Sequence, residues 1–208
     1  MFIRNYFPSS RFQQILNTVN PLFLMNNIDK IISEQFDLVK AKITKDNLTT
    51  LCEFDLNDLE SLKEKTQVLR KIKGIYLFEI HNQESLLFDE WIEGFTNKFR
   101  GFENKYLQKW TPNIVGKRTK IHKNQSSSSE WIPLYLGKSQ NIADRIDKHL
   151  NSKLGYPPSA LKLKHRGNLN DERFRIQYID FSYIRNYEAI VGLIEKKLRE
   201  EINPIAGR

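Results

Sequence analysis

Arg145 and His149 have types and a spacing that could do chemistry. They stand four positions apart in the stretch LYLGKSQNIADRIDKHL, in a segment whose apolar stripe is formed by Ile142, Ile146 and Leu150. At about 100° per residue, both polar side chains lie one step round a helix from that stripe and border the core. A guanidinium and a titratable imidazole would then face one region, although such a pair also occurs on ordinary surface helices.

Glu195 is a carboxylate placed within an apolar stripe. In the last periodic segment of the chain it falls on the same side as Val191 and Leu198. Burial of a carboxylate is costly unless a cation or hydrogen-bond donors compensate, so we expect a positive partner. Two partners fit: a structural salt bridge to Arg145 or a lysine, or a hard divalent metal such as Mg²⁺, which keeps most of its waters.

Three strands and two helices are predicted to position these side chains. Short runs rich in β-branched and aromatic residues indicate the strands at 74–80, 131–137 and 173–182. Asn141 is the predicted cap of the helix that carries Arg145, with Asp144 in its first turn near the positive end of the dipole. The last helix is stopped by Pro204.

The rest of the chain is predicted to form a helical N-terminal extension over 1–70 and an insertion over 81–130 within a core of 71–208. Helical spacing of apolar residues supports the extension, with Ser9 or Ser10 as a first cap. The apolar residues are Phe12, Ile15, Leu16, Val19, Ile28, Ile31, Ile32, Phe36, Leu56, Leu59, Leu62, Leu69 and Ile72.

The insertion is rich in aromatic residues at near-helical spacing. They are Trp91, Phe95, Phe99, Tyr106 and Trp110. Gly94 and Gly101 weaken the prediction of a helix here. The aromatic side chains either form the core of the inserted piece or stack on bases or a partner. A basic segment and four serines then close the insertion with a composition typical of a loop.

The positive charge is concentrated in one section of the chain. Residues 117–175 contain thirteen Lys and Arg against five Asp and Glu, which accounts for the whole net charge of +8. Clustered cations favour a polyanion, most simply nucleic acid; the alternative is a solvated basic surface. The candidate nucleic-acid-binding residues are Lys117, Arg118, Lys120, Lys123, Lys162, Lys164 and Arg166.

Composition excludes several classes of protein. The chain has 208 residues and 39% hydrophobic content, enough for a packed interior. Its single cysteine, Cys52, excludes an internal disulfide, and with four histidines there is no Cys/His zinc framework. Any metal must therefore be held by carboxylate oxygen and water. No apolar run approaches the ~18 residues of a membrane span, so we expect a soluble cytoplasmic protein without a membrane partner.

Taken together, these segments resemble the GIY-YIG nuclease family over 71–80 and 131–208. The residues that carry the resemblance are Gly74-Ile75-Tyr76, Tyr135-Leu136-Gly137 in place of Tyr-Ile-Gly, GKSQNIADR ending in Arg145, His149, and Glu195 nine residues before Pro204. The combined spacing is much more specific than any one element. The resemblance implies an α+β fold with a small mixed β-sheet flanked by helices.

The sequence departs from the family pattern at two places. The two signature strands are separated by the 81–130 insertion, where we expect target recognition to reside. The family often has an asparagine three residues after the final proline, and Gly207 occupies that position here. Asn203, before the proline, is the nearest substitute and a candidate phosphate ligand.

The resemblance implies hydrolysis of phosphodiester bonds at one divalent metal, Mg²⁺ or Mn²⁺. Glu195 would hold the metal on the scissile phosphate, and Arg145 would offer its planar donor fork to the non-bridging oxygens. Tyr76, helped by His149 or the metal, is the candidate for activation of water, although a phenol is a poor base unless a nearby cation lowers its pKa.

Tyr135 and Lys138 receive secondary roles from the same resemblance. Tyr135 would orient water or phosphate. Lys138, just beyond Gly137, either steadies the phosphate or is an ordinary solvated lysine. Gly74 and Gly137 would allow close approach of the backbone, although ordinary glycines at strand ends are an alternative explanation.

Three functions remain open at this point. The first is an endonuclease for double-stranded DNA most like the type II restriction enzymes of this family, which we expect to be a homodimer because cutting both strands commonly needs two subunits. The second is a nuclease of homing or repair that nicks one strand. The third is a nucleic-acid-binding module without catalysis.

Overall fold

The computed structural model describes residues 21–83, 85–101, 104–124 and 129–207. The chain divides into two compact units, Met1–Lys42 and Ile43–Arg208. In the first unit the described element is helix α1, Pro21–Lys42, which confirms the helical spacing predicted up to Lys42. The helix predicted around Phe12 to Val19 and its cap at Ser9 or Ser10 lie outside the described residues.

The second unit has the α+β class expected from the sequence. Its elements in chain order are β1 Thr49–Asp55, α2 Leu59–Thr66, β2 Gly74–His81, α3 Phe88–Arg100, α4 Lys105–Gln108, β3 Asn113–Ile114, α5 Gly116–Asn124, β4 Trp131–Ser139, α6 Ile142–Asn151, β5 Arg173–Asp180, α7 Tyr187–Ile202 and β6 Ala206–Gly207. The strands predicted at 74–80, 131–137 and 173–182 are confirmed as β2, β4 and β5. Short 3-10 turns complete the connections.

The main sheet has four strands in the order β1-β5-β2-β4. All three pairings are antiparallel, so the expected mixed sheet is wrong for the described strands. β2 and β4 pair directly across the insertion, with Tyr76 opposite Gly137 and Phe78 opposite Tyr135. β4 lies at an edge of this sheet, and β3 and β6 form a separate two-stranded pair.

Strand β1 is the element that the sequence did not indicate. It lies within the segment 1–70 that was predicted as a helical extension, yet it pairs with β5 and so belongs to the sheet. Cys52 and Phe54 are buried while Glu53 between them pairs with Arg173. An edge strand buries one face only, so two buried side chains among polar neighbours make a weak sequence signal.

The two faces of the sheet are covered by different helices. Tyr76, Phe78 and Ile80 belong to the main core cluster, together with Ile142 and Ile146 of α6. By the alternation of a strand, Ile75 and Leu77 of β2 point to the opposite face. Helix α7 contacts β2 and β4 and buries its apolar stripe of Val191, Ile194 and Leu198. The edge at β4 is therefore where side chains from α6 and α7 can meet.

The insertion contributes its own part of the core. Trp91, Phe95 and Phe99 of α3 are buried, and the first two rings stack at 4.7 Å between centroids. These three aromatic residues are core, as one of the two alternatives held. Tyr106 and Trp110 differ, because both side chains are exposed.

Candidate functional site

Tyr76 lies at the centre of a buried hydrogen-bond network. Its hydroxyl oxygen is 2.9 Å from Nε2 of His149 and accepts a hydrogen bond from Nε of Arg145 at 3.2 Å. Nη2 of Arg145 donates to the carbonyl oxygen of Ser159 at 2.7 Å. β2 supplies the tyrosine and α6 supplies the other two side chains, whose four-residue spacing turns both towards it. The predicted grouping of Tyr76, Arg145 and His149 is thus present.

The two signature glycines are required by close packing. A Cβ atom at Gly137 would lie 2.5 Å from the Tyr76 hydroxyl oxygen, and one at Gly74 would lie 1.9 Å from the carbonyl oxygen of Ile179. Both distances are far below van der Waals contact. Gly137 therefore makes space for the tyrosine hydroxyl, and Gly74 allows β5 to approach β2.

The tautomer of His149 follows from its second partner. The backbone N–H of Leu161 donates to Nδ1 of His149 at 3.0 Å. A ring nitrogen that accepts carries no proton, so in the neutral imidazole the proton is on Nε2. His149 then donates to Tyr76, and the Tyr76 oxygen accepts two hydrogen bonds, one from each side chain of α6.

Burial decides the charge state of this network. His149 is fully buried, and desolvation, reinforced by Arg145 and Lys162, holds its pKa well below the ordinary value of 6.5. Desolvation also raises the pKa of Tyr76; Tyr135 adds to this effect and Arg145 opposes it. For Arg145, burial works against the charge, but Tyr76 and Tyr135 more than compensate and raise its pKa. The resting network is therefore a neutral imidazole, a neutral phenol and a guanidinium cation.

Glu195 lines an open cleft beside this network. The cleft has a volume of about 570 Å³ and is lined by Tyr135, Arg145, Glu195 and Arg199, together with Trp110, Thr111, Pro112, Asn113, Leu136, Ser159, Ala206 and Gly207. The side chain of Glu195 is 15% exposed, and its carboxylate accepts a hydrogen bond from Nη2 of Arg199 one turn later in α7. The cleft thus joins a carboxylate, two guanidinium groups and a phenol from three elements, β4, α6 and α7.

The charge of Glu195 depends on its neighbours. Desolvation raises the pKa of this carboxyl above its ordinary value of 4.5. Arg199 and Lys138 oppose that shift, and Glu188 adds to it. The positive partner of this carboxylate in the structure is Arg199, in an ion pair, whereas the sequence analysis expected Arg145, a lysine or a divalent metal.

Helix α7 is fixed to the signature strands at its first residue. The hydroxyl of Tyr187 lies 2.7 Å from the carbonyl oxygen of Ser139 and 3.0 Å from that of Gly74. These two residues are paired at the ends of β4 and β2. Glu195 follows two turns later, so this anchor sets where its carboxylate enters the cleft.

The segment of residues 159–161 holds three parts of the site through its backbone groups. The Ser159 carbonyl accepts from Arg145, the Ala160 N–H donates to the carbonyl of Trp110 at 3.0 Å, and the Leu161 N–H donates to His149. Because backbone groups at adjacent residues have fixed spacing, these three elements are held in register.

Lys162 and Arg166 support that segment and do not reach solvent. Lys162 is fully buried, and its Nζ donates to the carbonyls of Lys153, Tyr156 and Pro158. Arg166 donates from Nε to the Leu161 carbonyl at 2.8 Å and from Nη1 to the Phe99 carbonyl, with its guanidinium over the Phe99 ring. The prediction that these two cations bind nucleic acid is therefore wrong, because both are used to satisfy buried carbonyls.

The segment around these two residues forms 3-10 turns at Leu163–His165 and Gly167–Leu169. Lys162 has φ 60, in the left-handed region, which an α-helix cannot contain. Lys164 is exposed, as its prediction requires.

The basic residues of α5 remain at the surface. Lys117, Lys120 and Lys123 are exposed, and Lys123 forms an ion pair with Asp89 at 3.4 Å. Arg118 is half-buried and donates from Nη1 to the Pro204 carbonyl at 3.0 Å. The exposed lysines can contact a phosphate backbone, whereas Arg118 ties α5 to the end of α7.

Lys138 and Asn203 do not line the cleft. Lys138 pairs with Glu188 at 2.5 Å, so its ammonium is engaged by a carboxylate. Asn203 is the C-cap of α7, and its side chain donates to the carbonyl of Glu200 at 2.9 Å. Its φ of 53 explains the asparagine, which tolerates the left-handed region better than most residues. The role of phosphate ligand predicted for Asn203 finds no geometric support.

Arg199, Trp110 and Ser159 are cleft residues that sequence reasoning missed. Arg199 stands four residues after Glu195, a spacing that indicates an ion pair on one helix face and could have identified it. In the sequence, nothing separated Trp110 from the other four aromatic residues of the insertion. Ser159 acts through its carbonyl oxygen, which no side-chain pattern reveals.

The donor set of the cleft suits one kind of metal. Within the described ranges, no group of three or more His, Cys, Asp or Glu side chains is placed to hold an ion. The cleft offers the single carboxylate of Glu195, which suits a hard cation that keeps its waters and does not suit a zinc or calcium cage.

Among the helices of the described residues, none is long and apolar enough to cross a membrane.

No protein-family model, curated protein or solved structure matches this chain.

Proposed function

We propose that this protein is a metal-dependent endonuclease that hydrolyses phosphodiester bonds in double-stranded DNA, of the GIY-YIG type and most like a type II restriction enzyme. The observation that carries the proposal is the shared cleft: Tyr135, Arg145 and Glu195 line one open space, and Arg145 is bonded to the buried Tyr76. Those are the residues on which the sequence resemblance rests. The direct pairing of β2 with β4 and β5, with α6 and α7 beside them, agrees with the α+β class that the resemblance implies, although the main sheet is antiparallel and not mixed.

Arg145 is the proposed phosphate ligand. A guanidinium has five N–H groups in a rigid fork. It can therefore hold Tyr76 and the Ser159 carbonyl and still bind a phosphate oxygen from the cleft. Arg199 adds a second guanidinium to the same cleft, which would stabilise the negative charge that develops on the non-bridging oxygens of the phosphate.

Tyr76 is proposed to orient and deprotonate the attacking water. Its oxygen accepts from both Arg145 and His149, so its own proton points away from both of them. The same two donors stabilise the phenolate once the proton leaves. Because burial raises the pKa of Tyr76, the phenol is protonated at rest. To act as the base it must first release that proton to solvent water, and it then takes one proton from the attacking water as the new P–O bond forms.

Glu195 would hold the metal, Mg²⁺ or Mn²⁺. The bound cation would supply Lewis-acid stabilisation of the phosphate charge and lower the pKa of a bound water. The ion pair with Arg199 keeps the buried carboxylate compensated before the cation arrives. Exposed Lys117, Lys120 and Lys164 would contribute sequence-independent contacts to the DNA backbone.

Digestion of varied plasmid DNA with Mg²⁺ tests the proposal. The intact protein is compared with Glu195→Gln and with the matched control Glu200→Gln, which removes an exposed carboxylate from the same helix. We expect discrete bands from the intact protein and from the control, and none from Glu195→Gln. Nicked circles alone would favour the nicking nuclease of repair or homing.

Two other results would redirect the proposal. Binding of DNA without any cleavage would favour the module without catalysis. Cleavage that Glu195→Gln leaves unchanged would overturn the assignment of this cleft. Sedimentation of the protein with and without DNA tests the expected homodimer, because cutting both strands at one site needs two such clefts.

A further inference from the structure

We infer that Trp110 forms a nucleobase-binding site in the cleft, so that its indole stacks on a base of the nucleotide whose phosphate Arg145 holds. This inference rests on the proposed function and narrows its substrate. A base can stack on an indole only after it leaves the duplex stack. The site would therefore take a nucleotide that is unpaired or extruded from the duplex at the cleavage point.

The exposure of Trp110 separates it from the other aromatic residues of the insertion. Trp91, Phe95 and Phe99 are buried in the core, whereas Trp110 is 44% exposed and lines the same cleft as Arg145 and Glu195. A half-exposed indole on the wall of a polar cleft offers a π-face that any base can use.

The backbone of Trp110 is held in a conformation that this residue type rarely adopts. Its φ is 63, in the left-handed region, where a bulky side chain is strained. A strained backbone conformation persists only where surrounding contacts fix it, and such residues are concentrated at ligand sites. Here the Ala160 N–H donates a hydrogen bond to the Trp110 carbonyl, and the Thr111 N–H donates one to the Gln108 carbonyl at 3.1 Å.

The segment 159–161 positions Trp110 relative to Arg145, the proposed phosphate ligand. The Ser159 carbonyl holds Arg145, and the next residue, Ala160, holds Trp110. The guanidinium of Arg145 and the backbone of Trp110 are thus bound to the two sides of one peptide unit, the one that joins Ser159 to Ala160. This shared peptide unit fixes the backbone of Trp110 beside the site where Arg145 would bind a phosphate.

Lys109 adds a cation over the same ring. Its Nζ lies 5.7 Å from the Trp110 ring centroid. An ammonium at this place makes a cation–π contact with the indole, and its charge attracts the phosphate that flanks a stacked base. The pair of side chains matches the two parts of a nucleotide, a flat base and an anion.

Binding of single-stranded DNA by the Glu195→Gln protein tests the site without cleavage. Two fluorescently labelled oligonucleotides of equal length are compared by anisotropy: one with bases and one with an abasic backbone. We expect Trp110→Ala to weaken binding of the base-containing strand by roughly 5- to 150-fold, the range found for base–aromatic stacking. Binding of the abasic strand should stay within twofold, and Trp110→Phe should retain most of the affinity.

Two further variants exclude trivial causes. Tyr183→Ala removes an aromatic residue that is 74% exposed but outside the cleft lining, so it should leave both affinities unchanged. Trp110→Asn tolerates the left-handed backbone and should stay folded, as checked by circular dichroism, while it loses the same affinity as Trp110→Ala.

The outcomes separate this inference from the proposed function. If Trp110→Ala weakens both strands equally, or neither, the base site is wrong, and plasmid cleavage by the intact protein would still support the nuclease. If the intact protein neither binds nor cuts nucleic acid, both fail.

Discussion

The N–H of Leu161 donates a hydrogen bond to Nδ1 of His149 at 3.0 Å. A peptide N–H can only donate, so this contact places the imidazole proton on Nε2 and directs it at the Tyr76 hydroxyl. Arg145 donates to the same oxygen. The polarity of the buried network is therefore set by the main chain, and both side chains of α6 donate to the oxygen of Tyr76.

The neutral state of His149 predicts a pH dependence of stability. Its pKa is lowered in the folded protein, first by desolvation and then by Arg145 and Lys162. Below pH ~6.5 the unfolded state binds a proton there that the folded state does not, so stability present above pH ~6.5 is lost as the pH falls. The maximal slope for one proton is about 1.4 kcal/mol per pH unit.

Urea unfolding between pH 7.5 and 5.5 measures this effect. We expect the free energy of unfolding of the intact protein to fall more steeply than that of His149→Gln over this range. His165→Gln, which changes an exposed histidine, should keep the slope of the intact protein. Equal slopes for the intact protein and His149→Gln would contradict a buried neutral imidazole.

Gly137→Ala should damage the site through Tyr76. The added Cβ would lie 2.5 Å from the Tyr76 hydroxyl oxygen, so the tyrosine must move away from Arg145 and His149. Overpacking of this kind costs about 1–3 kcal/mol. We expect that loss in urea unfolding and a strong decrease in cleavage rate. Gly116→Ala is the control, because a Cβ there meets nothing within 4 Å; equal behaviour of the two variants would refute the packing argument.

Arg199→Met should separate metal binding from catalysis. Arg199 pairs with the Glu195 carboxylate and therefore competes with a metal for it. Without this competitor we expect Mn²⁺ to bind more tightly at pH 8, by about fivefold for an ion pair of ~1 kcal/mol. Cleavage should fall, because one guanidinium of the phosphate site is lost.

Calorimetric titration with Mn²⁺ checks the first half of this prediction, and plasmid digestion checks the second. Lys196→Met removes an exposed cation from the same helix and should change neither. Weaker binding of Mn²⁺ by Arg199→Met would mean that Arg199 positions the carboxylate and does not compete for it.

Lys162 and Lys164 form a matched pair with opposite roles. Lys162→Met leaves three buried carbonyls without their donor, so we expect the free energy of unfolding to fall by about 3 kcal/mol or more. Lys164→Met should leave stability unchanged, since this lysine is exposed. If Lys164 contacts DNA, its removal should lower the slope of log K against log salt by about one.

Urea unfolding and DNA binding at several salt concentrations measure the two effects. A stable Lys162→Met protein with a reduced salt slope would show that Lys162 faces the nucleic acid after all.

Local patterns in the chain were sufficient for most of the elements near the cleft. Asn141 caps α6 by accepting from the N–H of Asp144 at 3.1 Å, as its position predicted. The spacing of Arg145 and His149 predicted that both border the core, and Glu195 does lie in a buried stripe that ends before Pro204. Helix caps, strand periodicity and the i, i+4 relation act over a few residues, so they can be read without the fold.

The fate of the basic residues could not be read in this way. Lys162 and Lys164 stand two positions apart with the same ammonium group, yet the first is buried against three carbonyls and the second is exposed. Charge alone does not state whether a cation faces water or a buried carbonyl. The environment of each cation depends on segments distant in sequence. Arg166, for example, donates a hydrogen bond to the carbonyl of Phe99.

The tautomer of His149, the role of Ser159 and the selection of Trp110 share the same origin. Each depends on a backbone group that the fold brings close, at Leu161, Ser159 and Ala160. Every residue except proline has the same backbone donor and acceptor, so the type of a residue does not predict which partner these groups will bind. Packing of the chain into three dimensions assigns them, because a buried polar group must find a partner wherever the fold provides one.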